Sequence, residues 1–186
     1  MVLEVAVSDT TDKLHEDAQR WLNTGITKLV ILVDIKETGK RDCSNDKWGI
    51  SEADFRQTGN NALSERILQW YQSQGIRLVG SLDLSVHLWY SDGNRQCILD
   101  GAKFSPDNLI DPTTVDDVPL PLGHLMPDMT DCDLDTSPRV MIPLRRLVHS
   151  LQLGFAAIER SRACDLMWEE RQKFAEPTSR SRSRYI

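Results

Sequence analysis

The sequence predicts an α/β fold with a mixed sheet, and three patterns predict it. They are a strand–helix–strand run at the N-terminus, an alternating segment closed by a turn signal, and a long helical repeat near the C-terminus. Val2 to Val7 alternates between two faces, with Val2, Glu4 and Ala6 on one and Leu3, Val5 and Val7 on the other. Ser8, Asp9, Thr10 and Thr11 then supply oxygens that can cap a helix start. Leu14, Ala18, Trp21 and Leu22 form one apolar stripe, while Lys13 with Asp17 and Glu16 with Arg20 are i,i+4 pairs on the wet side. Asn23-Thr24-Gly25 ends that helix, with Gly25 as a left-handed cap. Leu29 to Val33 is an uninterrupted apolar run, the mark of a strand covered on both faces. Together these make a βαβ unit whose strands lie parallel.

The charged stretch from Lys36 to Asp46 reads as a loop, and Ser51-Glu52-Ala53-Asp54 as the opening of a short helical turn. Leu63, Ile67, Trp70 and Tyr71 define a second amphipathic helix that ends before Gly75. Leu82, Leu84, Val86, Leu88 and Tyr90 alternate with Asp83, Ser85, His87, Trp89 and Ser91, so this strand has one dry face. Asp92-Gly93 is a hairpin turn and Arg95 to Leu99 the return strand, which adds an antiparallel hairpin to the parallel unit.

Residues 105 to 135 carry eight aspartates and no Lys or Arg, and seven of the eight prolines lie between Pro106 and Pro143. That composition predicts a solvated linker or insertion without regular pairing. Its acidic spacing matches no EF-hand loop. From Ile142 a long helix takes over, with Leu144, Leu147, Val148, Leu151, Phe155 and Ile158 at helical spacing. Its charged second half, Glu159 to Phe174, is expected to project into solvent, and a Ser/Arg repeat from Ser179 to Arg184 forms a disordered tail. The expected organisation is a core over 1–104, an acidic Pro-rich linker over 105–138, a C-terminal helix over 139–175 and the tail over 176–186.

The 186 residues hold 22 basic and 28 acidic side chains, a net charge of −6. With 40% apolar and 27% charged residues, the chain is not collagenous, fully disordered or a disulfide-packed miniprotein. Setting aside the eight charges of residues 105 to 135 leaves +2, so the acidity belongs to the linker, and a phosphate backbone is an admissible partner for the rest. The N-terminus lacks a basic n-region and no apolar run is long enough to span a bilayer, so no membrane is expected as a partner. Cys43, Cys97, Cys132 and Cys164 are scattered without a CxxC pair, which points to free thiols in a reducing cytosol or nucleus rather than to zinc. No nucleophile elbow or Gly-rich phosphate loop is present. His15 and His87 read as solvated, and Trp48, Trp70, Trp89 and Trp168 as packing residues.

Glu4 is the odd residue of the first strand. A carboxylate among Val2, Leu3, Val5, Ala6 and Val7 requires either a metal ion or an edge position with a salt bridge, to Lys28 or Lys13. The run Val2 to Asp9, then Lys13 to Leu22, then Lys28 to Ile35, resembles a fungal protein group similar to the PD-(D/E)XK, restriction-endonuclease-like superfamily. Three elements agree in order and spacing over about the first 35 residues. The resemblance implies a restriction-endonuclease-like fold, incomplete here, and a Mg²⁺-dependent phosphodiesterase acting on nucleic acid, with Glu4 as catalytic carboxylate and metal ligand. Ala6 stands where that family has its Lys, so the resemblance assigns the role to Lys13, or more weakly to Arg20. Met1 lies three residues before Glu4, and the Asp that this family carries on an earlier strand has no counterpart; the expectation is a truncated or degenerate relative. The alternative is a non-catalytic module that binds a protein partner through the α/β scaffold and the C-terminal helix.

Overall fold

The computed structural model describes residues 1–7, 11–43, 46–121 and 139–175. In chain order these form β1 (Val2–Val7), α1 (Thr11–Asn23), β2 (Leu29–Thr38), α2 (Glu52–Gln57), α3 (Asn60–Ser73), β3 (Ser81–Tyr90), β4 (Arg95–Phe104), β5 (Val118–Pro121), β6 (Arg139–Ile142) and α4 (Leu144–Ala175). Two compact units result, one from Met1–Gly39 with Gly80–Gln152, the other from Lys40–Val79 with Leu153–Ile186. The boundary between them falls within α4.

The first unit holds a four-stranded sheet in the order β1-β2-β3-β4. β1 and β2 run parallel from Val2↔Val30 to Val7↔Ile35, and the remaining pairs are antiparallel. The α/β class, the βαβ unit and the antiparallel hairpin are therefore present as the sequence predicts. Gly25, at φ 72°, donates its N–H to the Leu22 carbonyl and closes α1. α1 lays Leu14 and Ala18 against Val30, Leu32 and Trp89. On the opposite face Leu29 and Leu88 pack with Leu120 of β5 and Ile142 of β6, and Leu144 and Val148 of α4 are buried too.

Several expectations need correction. The stretch after Ile35 is not yet a loop, because β3 offers ten residues of pairing and carries β2 on to Thr38. The Glu37 carboxylate accepts the Gly80 N–H at 2.7 Å at that end. The return strand reaches Phe104 rather than Leu99, across register shifts near Val86. The linker segment is partly ordered: Val118↔Ile142 through Pro121↔Arg139 pair as a two-stranded sheet. Pro119 and Pro121 are compatible with it because a two-stranded sheet has an open side toward which a missing N–H can point. β6 occupies the residues expected to begin the C-terminal helix, which starts at Leu144. β3 is dry on more than one face, since Trp89 is buried beneath α1. Arg20 pairs with Asp17 at 2.8 Å, not with Glu16. Ser8 to Thr10, the 122–138 part of the acidic stretch and the Ser/Arg tail lie outside the described residues.

In the second unit Ser51 and Asp54 close a capping box at the start of α2. α3 buries Leu63, Ile67, Leu68 and Tyr71 against Phe55, Leu78, Ala163 and Met167. The distal half of α4 therefore does not project into solvent. Ala163, Met167 and Phe174 make a narrow stripe among the charges, and Phe174 meets Phe55 at 5.6 Å between ring centroids. Even Glu159 is buried, with its carboxylate 3.7 Å from Arg77. The Arg171 guanidinium donates to the Asn60 side-chain oxygen and the Thr58 carbonyl.

Tyr71 is fully buried and donates its hydroxyl to Asp46 at 2.9 Å. Burial pushes its pKa above the ordinary 10. An unfolded tyrosine ionises near pH 10 while the folded one stays neutral, so this contribution to stability is complete below pH 10 and declines as pH rises beyond it. Tyr71→Phe is expected to lose about 1.5–3 kcal/mol at neutral pH, the usual worth of a hydrogen bond to a charged group. It should also flatten the alkaline decline. Urea melts at neutral pH and above pH 10 check both.

Candidate functional site

Glu4 sits at the middle of β1, the edge strand of the sheet, on the face that α1 covers. Trp21, two turns beyond Leu14 on the same helix, donates its indole N–H to the Glu4 carboxylate. This satisfies the carboxylate by a neutral donor at an edge position, and neither Lys13 nor Lys28 forms the anticipated salt bridge with it. Lys13 is exposed on α1, and Arg20 is engaged with Asp17.

The structure points to one carboxylate that sequence reasoning overlooked. Asp34 pairs in register with Ala6, so it lies on the same sheet face as Glu4, with Cα atoms on the order of 8 Å apart from strand geometry. Asp34 is buried. Its Oδ2 accepts the Thr11 hydroxyl at 2.8 Å and lies 3.6 Å from Lys36 Nζ, while Oδ1 has no partner. The signal was available, because an Asp at the end of the apolar run 29–35 raises the same desolvation question as Glu4.

Mg²⁺ requires several oxygen ligands in near-octahedral geometry. Glu4 is already bonded to an indole N–H, and Asp34 to a hydroxyl and an ammonium. Among the described residues no group of three His, Cys, Asp or Glu side chains is placed to hold a metal. This donor set does not fit Mg²⁺, and no hydrolytic step is derived through one. Cys97 is no poised nucleophile either, since burial and then the Asp100 charge push its thiol pKa up. His15 is half-buried, its ring 4.9 Å from that of Trp89, rather than solvated.

The other face of β1 has a different character. Leu3, Val5 and Val7 are 59%, 53% and 70% exposed. Leu3 and Val5 border an almost wholly apolar groove of about 480 Å³, walled by Met141 of β6 and by Leu147 and Leu151 of α4. Among the described residues no helix is long and apolar enough to cross a membrane. Compared with protein-family models, curated proteins and solved structures, the chain matches none.

Proposed function

We propose that this chain is a non-catalytic interaction module whose binding surface is the open β1 edge of its first unit. The observation that carries this reading is the exposure of Leu3, Val5 and Val7 on a strand that, among the described residues, has a neighbour on one side only. Contiguous apolar surface beyond a few hundred Å² is uncommon on monomers and marks interaction sites. β1 carries no Lys, Pro or bulge, and its one charge, Glu4, lies on the α1 face and leaves the Leu3, Val5 and Val7 face wholly apolar. Ala163 and Met167 of the C-terminal helix, which the sequence offers with the α/β scaffold as a partner surface, are buried inside the second unit. A photo-crosslinking residue in place of Leu3 is expected to form a polypeptide adduct in cells making the protein, and Val5→Lys to abolish it. The same probe at Leu153, an exposed apolar residue of α4, should form none. No adduct from the Leu3 position would overturn this reading.

A second reading, the nuclease ancestry implied by the N-terminal resemblance, is favoured by one observation. Asp34-Ile35-Lys36 places a Lys two residues after a carboxylate on the face of Glu4, the spacing that Glu4 and Ala6 lack. Plasmid relaxation in Mg²⁺ or Mn²⁺ separates the readings. The interaction module expects no metal-dependent nicking that responds to Glu4→Ala or Asp34→Asn. Nicking by the unsubstituted chain that either change removes would replace the first reading by the second.

A further inference from the structure

We draw no further inference here: the strongest candidate, the apolar groove bordered by Leu3 and Val5 of β1, Met141 of β6 and Leu147 and Leu151 of α4, is an unpartnered apolar face, and nothing in the structure shows what covers it.

Discussion

Met167→Ala is expected to destabilise the second unit by about 2–5 kcal/mol, the cost of removing a fully buried Met side chain and leaving a cavity. Met167 is 0% exposed and packs with Ala163, Phe55, Leu63 and Ile67. Leu153→Ala, on the same helix but 68% exposed, should change stability by less than about 0.5 kcal/mol. Both are read from urea melts. The pair decides whether the distal part of α4 is core or a projecting arm, since a projecting arm would make the two substitutions equally mild.

Trp89→Ala carries the largest expected loss in the first unit, about 3–5 kcal/mol. Its indole fills the space between the sheet and α1, with Leu14, Ala18, Val30 and Leu32 around it. His15 packs against the ring, and the Arg95 guanidinium lies 3.7 Å from the ring centroid. Such a cation–π contact adds about 0.5–1 kcal/mol at an exposed site. Trp89→Phe should retain more than half of the stability that Trp89→Ala loses. Hydrogen exchange should show the amides of α1 opening faster in Trp89→Ala, because the helix rests on this ring.

The contrast between these two residues shows why some of the molecule was legible from its sequence. Leu14, Ala18 and Leu22 announce α1 by spacing alone, and the structure keeps that helix with Gly25 at its end. Met167 gave no comparable signal. Its stripe of Ala163, Met167 and Phe174 is one residue wide and lies among Arg160, Arg162, Glu169, Glu170 and Arg171, so the average reads as polar. A helix buried along a narrow line does not need an apolar half. Trp89 falls among the polar positions of an alternating strand yet packs as its residue type suggests, because α1 lies over that end of the sheet.

The site follows the same division. Glu4 stood out because a charge in an apolar strand demands a partner, but the choice among a metal, a lysine and an indole depended on what α1 sets above it. Asp34 escaped notice because its strand reads as apolar up to that point; its meaning came from Thr11, 23 residues away in sequence.

Consecutive residues determined the α/β class, the parallel β1–β2 unit, the hairpin and the helix caps, because the periods of 2 and 3.6 and the capping oxygens act over a few residues. Only the tertiary structure decided how far each strand runs, where α4 is buried, which donor Glu4 meets, and that no described element covers the apolar face of β1. Those outcomes depend on which surfaces meet across long separations in the chain, and no local pattern records the partner that a face receives.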